Sequence, residues 1–300
     1  MKQNVRNVLV IAQKEFADHL WSPRFIASVL VFSLIIFSFS YKAVLNGRNI
    51  FQMGFLDIAQ IIAVFLPFLG IAIGFDAVVK ESKSSSLNIL LTHPVFRDNI
   101  ITGKILGSLA TLALVIGISI IASVGTMLFI SGVQISLLEI ERIFIFAILT
   151  FIYISTFVGV SILLSIYSKN TTSSLIYSIV IWINSIIVFS AIVVVIASII
   201  TGQSFLDWGK NYQALELNAN LQKFSPIHHY AEAVTGKPSL SWGGVSKDAG
   251  SDRSLGIFDM RYTLGQWVEE YWTNLTVLIA VPIILFIASF TAFLRKDITM

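Results

Sequence analysis

Three side chains have the types and spacing for acid–base or metal chemistry: His228, His229 and Glu232, within the stretch FSPIHHYAEAVTG. On a helix, His228 and Glu232 stand one turn apart on a shared face, where they could offer two ligands to a zinc ion or form a base with its orienting carboxylate. The order differs from His-Glu-x-x-His and brings no clear third ligand, so a structural role is expected, with metal binding, catalysis or an external binding surface as alternatives. Thiolate catalysis, disulfides and Cys-ligated metals are excluded because the chain has no cysteine. ATP chemistry is excluded on similar grounds. A phosphate-binding loop needs glycine, four residues and then Gly-Lys-Ser/Thr. Gly103-Lys104, Gly209-Lys210 and Gly236-Lys237 lack both the leading glycine and the following hydroxyl. No catalytic, cofactor-binding or metal residue is therefore assigned.

The elements that must carry these residues belong to a membrane. Apolar residues make up 56% of the 300-residue chain and charged residues 12%, with a mean hydropathy of +0.83. A soluble domain of this size could not cover its surface with so few charges. A spanning helix needs about 20 predominantly apolar residues, and six segments qualify: 25–45, 58–79 (interrupted by Pro67, where a kink is expected), 105–131, 143–167, 174–200 and 273–294. The expected fold is an all-α polytopic membrane protein with six transmembrane helices. It divides into 1–24, an N-terminal amphipathic interfacial helix; 25–200, five spans with a loop at 77–104; 201–272, a small extracytoplasmic segment; and 273–300, the sixth span and a short tail. No cleavable signal peptide is evident, so the first span should be retained.

Orientation follows from the basic residues flanking the spans. Lys2, Arg6, Lys14, Arg24, Lys80, Lys83, Arg97, Lys104, Lys169, Arg295 and Lys296 fall on one side; the short loops opposite carry only Lys42, Arg48 and Arg142. The first set is expected to be cytoplasmic, giving a multi-pass protein of the cell membrane with both termini inside. A net charge of +3 gives no case for nucleic acid. Ionisable groups are nearly absent within the spans, which weighs against ion-coupled transport. Thr156, Ser178, Asn184 and Ser185 are candidates for hydrogen bonds between helices.

Two cytoplasmic stretches carry the functional signal. Residues 2–20 place Val5, Val8, Leu9, Ala12, Phe16 and Leu20 at helical spacing, and Ser22-Pro23 separates this helix from the first span. In the loop, Ser84, Ser85 or Ser86 can cap a short helix through Leu87, Leu90 and Leu91, which His93-Pro94 ends. A short apolar helix bounded by charge suits a groove on a cytoplasmic partner, or else a self-packed connector. The loop resembles the second cytoplasmic region of type-2 ABC-transporter permeases at Glu81, Leu87, Leu90, Leu91, Pro94, Arg97, Gly103 and Lys104. The opening QKEFADHLWSPRF is similar to that family's start at Lys14, Glu15, Phe16, Ser22, Pro23, Arg24 and Phe25. Lys83 stands where a second acid is usual and Ser85 where glycine is usual.

The resemblance is strongest to permeases akin to those of copper-enzyme maturation and gliding motility. It implies a permease subunit of an ATP-driven exporter, paired with a second permease subunit and with separate ABC ATPase subunits that hold ATP and magnesium. Glu81, Ser84, Ser86, Leu87, Leu90, Leu91, Pro94 and Arg97 would form the docking site, and Lys14, Glu15, Phe16 and Arg24 would mark the interfacial helix. The alternatives are an intramembrane enzyme using the His/Glu group, and a channel or scaffold. In the 201–272 segment, Trp208, Tyr212, Leu215, Leu217 and Leu221 suggest a helix, Ser225-Pro226 starts another, and Gly236-Lys237-Pro238 stops it. An extracytoplasmic partner for this segment is left open. Trp267, Tyr271 and Trp272 are expected to form an aromatic belt.

Overall fold

A computed structural model of the chain describes residues 2–45, 63–83, 96–131, 136–202, 212–236 and 256–296. In order, the helices are α1 (Lys2–Leu20), α2 (Pro23–Leu45), α3 (Pro67–Gly74), α4 (Val79–Lys83), α5 (Arg97–Ser131), α6 (Leu137–Tyr167), α7 (Thr171–Thr201), α8 (Tyr212–Gln222), α9 (Pro226–Thr235) and α10 (Leu264–Arg295). Among the described residues there is no strand. Five stretches among the described residues are long and apolar enough to span a membrane: Ala63–Ser82, Arg97–Ala122, α6, α7 and α10. The first expected span coincides with α2, a helix of 23 residues. The protein is all-α and multi-pass.

α6 is the axis of the bundle. Tyr153, Ile154, Val158, Ile162 and Ile166 have no exposed surface. A capping box opens the helix: Ser136 accepts from the Glu139 N–H, and the Glu139 carboxylate accepts from the Ser136 N–H at 2.7 Å. α3 lies against α6 with its glycines inward. A Cβ on Gly70 would sit 2.8 Å from the Ile154 carbonyl oxygen, and one on Gly74 2.1 Å from Ser161 Oγ. This is close small-residue packing of the kind that holds membrane helices together. By contrast, Ile199 on α7 and Ile284 on α10 are 74% and 62% exposed, as lipid-facing residues should be.

Pro67 explains how the second span is held. Proline has no N–H, so the Ala63 carbonyl four residues earlier loses its helical donor. Tyr153 Oη supplies a replacement at 2.6 Å, and Trp182 Nε1 donates to the next carbonyl, Val64, at 3.0 Å. The helix breaks into a turn at Leu66 and restarts at Pro67. A second interruption at 75–78 exposes backbone N–H groups, and Ser165 Oγ accepts from both Val78 and Val79 at 3.0 Å. The hydroxyls expected to bridge helices behave differently. Ser178 and Ser185 donate to carbonyls of their own helix, Ser174 and Trp182, and Thr156 Oγ1 is buried with no hydrogen-bond partner among the described residues.

α7 contains a π-helical turn at Asn184–Val188. The extra residue per turn rotates the face that the helix presents, so its first half packs on α3 and α6 while its second half packs on α8. The proposed aromatic belt requires correction. Trp267 and Tyr271 are buried, at 4% and 6% exposure, and only Trp272 is exposed. The indole of Trp267 donates to the Ala233 carbonyl of α9 at 2.9 Å. These rings pack a cap onto the bundle because α9 folds back over the start of α10.

Candidate functional site

At the α1 end of the bundle, two glycines on α5 decide where α1 lies. A Cβ on Gly103 would meet Ile11 Cγ2 at 2.6 Å, and one on Gly107 would meet Glu15 Cβ at 2.7 Å and the Ala12 carbonyl at 2.8 Å. This approach brings the Glu15 side chain beside Lys104. Lys104 is 2% exposed; its Nζ lies 2.7 Å from Glu15 Oε1 and 3.0 Å from Glu81 Oε2. Lys14 reaches the other Glu81 oxygen at 3.4 Å. Burial pulls the Lys14 ammonium down, but Glu81, Glu15 and Asp18 together lift it above its ordinary value. Beside this group, Arg24 Nη1 donates to Asp76 Oδ2 at 2.6 Å while its guanidinium lies 4.7 Å from the centre of the Phe75 ring. α1, α4 and α5 are thus joined through one buried ammonium.

Of the residues expected to mark the interfacial helix, Lys14 and Glu15 enter this ionic group, Phe16 sets its backbone N–H against Gly107, and Arg24 pairs with Asp76. The amphipathic face is shared. Ile11, Ala12 and Glu15 face α5, whereas Val5 and Leu9 remain 55% and 59% exposed. Of the expected docking residues, Glu81 joins Lys104, and Arg97 donates to the Lys296 carbonyl at 3.2 Å. Lys296 in turn donates to the Ile166 carbonyl at 2.5 Å. Ser84, Ser86, Leu87, Leu90, Leu91 and Pro94 lie outside the described residues. The roles of Lys104 as an ionic hub and of Asp76 were missed by sequence reasoning. The available signals were the Gly-x-x-x-Gly spacing of 103–107 and a lone lysine entering an apolar helix.

The opposite end carries the histidines. Pro226 starts α9, and Gly236, at φ 70°, ends it with its N–H on the Glu232 carbonyl. His228 Nε2 lies 3.1 Å from Glu232 Oε2, and Asn274 Nδ2 donates to the same oxygen at 2.7 Å. His229 Nε2 bonds the Lys223 carbonyl at 2.7 Å. Tyr230 stacks on Tyr153 at 4.5 Å and shares a 2.9 Å hydrogen bond with Thr150. Among the described residues, no three His, Asp or Glu side chains converge as metal ligands. The group ties α9 to α6 and α10, so its chemistry is that of a joint.

That joint predicts a pH response. Burial holds His229 below its ordinary value, so the unfolded chain binds a proton there that the folded cap resists. The resulting stability is present above about pH 6.5 and is lost as the pH falls from there toward the folded value. Burial pushes Glu232 up, but His228 and Asn274 outweigh it and hold the carboxyl below its ordinary value. Its contribution is lost at still lower pH. Hydrogen exchange across Pro226–Thr235 is expected to speed up between pH 7.5 and 5.5 when corrected for intrinsic rates, and His229→Gln should flatten that change.

A family model described as "ABC-2 family transporter protein" matches residues 9–298, nearly the whole chain. The chain belongs to the ABC-2 transporter family. Two curated relatives carry the description "probable ABC transporter permease protein NosY". The one from Stutzerimonas stutzeri is 29% identical over 137 residues, covering 43% of this chain and 48% of the relative. That from Pseudomonas aeruginosa is 30% identical over 114 residues, covering 36% and 40%. The chain thus matches less than half the length of each. The family match runs through both ends of the ionic group, from α1 to α5, and through the α9 joint.

Proposed function

We propose that this chain is the membrane permease subunit of an ATP-driven ABC exporter. Two such subunits pair, and separate ABC ATPase subunits bind at the α1 end through the short helix expected in the 77–104 loop. ATP and magnesium sit on those subunits, since no phosphate-binding loop is present in this sequence. With the basic flanks facing inward, the α1 end is cytoplasmic and the α9 joint lies outside.

One observation carries this reading: the described residues on either side of 84–95 are anchored to the bundle. Glu81 before it is fixed to Lys104, and Arg97 after it is fixed to Lys296. Force applied to the loop would pass into α1 and α5 on one side and into α6 and α10 on the other. Family membership and the permease description of the relatives agree with it. The test is affinity purification of the full chain from its native membrane. An ABC ATPase is expected to co-purify, and Leu87→Asp or Leu90→Asp should remove it without changing the elution of the chain. Recovery of no ATPase, or association unchanged in both variants, would refute the docking role.

A further inference from the structure

An apolar slot of about 490 Å³ runs between α2, α3 and the start of α7, bounded by Ala27, Val31, Ile35, Phe65 and Ala72, with Arg24 at one end. From Arg24 to Ile35 is eleven residues, or about 16 Å at 1.5 Å per residue. The described lining thus covers about half of the roughly 30 Å hydrocarbon core, enough length to hold much of an acyl chain. Where the slot ends at Arg24, a second cavity of about 400 Å³ begins, lined by charged groups of α1 and of residues 76–81.

Those charges are not evenly presented. The carboxylates of Glu15, Asp76 and Glu81 are turned inward, with 10%, 12% and 13% of their side chains exposed. Among the described lining residues, Lys14 and Arg24 are each 54% exposed and Lys80 is exposed as well, against one exposed acid, Asp18. The rim therefore favours an anion. Arg24 is held in place by Asp76 and Phe75 while much of its guanidinium stays open to the rim. A guanidinium of that kind pairs well with phosphate.

From this continuity of an apolar slot with a cationic rim, we propose that the chain holds a glycerophospholipid here. One acyl chain lies along α2 and α3, and the phosphate sits against Arg24 and Lys80. The site does not depend on the transport reading; it needs only the membrane.

The test uses the full chain purified in mild detergent, with native mass spectrometry and phospholipid extraction as readouts. Retained phospholipid is expected, and Ala72→Phe, which fills the slot, should cut retention about tenfold with monodisperse elution preserved. Ala27→Phe blocks the slot from the other helix and serves if the first variant fails to fold. Delipidated protein should rebind dioleoylphosphatidylglycerol but not dioleoylglycerol, which has the same chains and no phosphate. Arg24→Gln with Lys80→Gln should erase that preference. Retention unchanged by both blocking variants, or no headgroup preference, would each overturn the proposal.

Discussion

Replacing Lys104 by methionine is expected to destabilise the chain by about 3–5 kcal/mol, because it strands buried carboxylates without their cation. Methionine has nearly the same length and keeps the packing, so the loss reports charge rather than volume. Glu15 and Glu81 would then face one another without the buried ammonium they share, with Lys14 at 3.4 Å from Glu81. Thermal unfolding in detergent measures the effect, and the double variant Lys104→Met/Glu15→Gln separates its causes. If the ion pair matters, the double variant recovers part of the loss, giving a coupling energy of about 0.5–3 kcal/mol. Additive losses would mean that Lys104 acts only through its aliphatic stem. In the proposed ATPase complex, the same substitution should weaken coupling as well as stability, since Glu81 is one of the proposed docking residues.

Replacing Arg142 by methionine should act as strongly at the other end. Arg142 is 5% exposed and donates from its two Nη atoms to the carbonyls of Ile257 and Tyr262. These bonds fasten the 256–262 turn, whose Ile257 N–H donates in turn to the Val234 carbonyl of α9 at 3.1 Å. Removing the guanidinium leaves two carbonyls unpaired, at about 1–3 kcal/mol each where no water replaces it. Hydrogen exchange in Pro226–Thr235 should accelerate by roughly 5–30-fold for each 1–2 kcal/mol lost. The spans Arg97–Ala122 and Leu137–Tyr167 should keep their protection. Unchanged exchange in α9 would show that Phe258 packing on Phe146, at 5.4 Å, holds the turn unaided.

What could be read from sequence was what depends on neighbours in the chain. Apolar length located the spans. Ser225-Pro226 and Gly236 bounded α9 because proline pre-sets a first turn and glycine accepts a left-handed end. Ser22-Pro23 separated α1 from α2 for a similar local reason. Partners distant in sequence were harder. Pro67 announces a broken helix, but nothing near it says that Tyr153 and Trp182 will take the freed carbonyls. Trp267 and Tyr271 have the types and place of a lipid-facing belt, and only the return of α9 makes them core. Ser178 and Ser185 look like interhelical donors, yet a hydroxyl in a helix can satisfy itself on its own preceding turn. Of the candidate docking residues, Glu81 and Arg97 have defined partners; their roles toward an ATPase rest on the proposed association.

The approach of α1 to Gly103 and Gly107 has a bearing on inheritance. Glu15 and Lys104 are 89 positions apart in the gene product, yet neither tolerates an independent choice of neighbour. A recombinant that takes its first 24 residues from one relative and the remainder from another would bring together an acid, a base and two glycine notches that had not been matched. Exchange of α1 between relatives should therefore succeed only when residues 76–107 travel with it, so that the two stretches behave as one heritable unit despite the span between them.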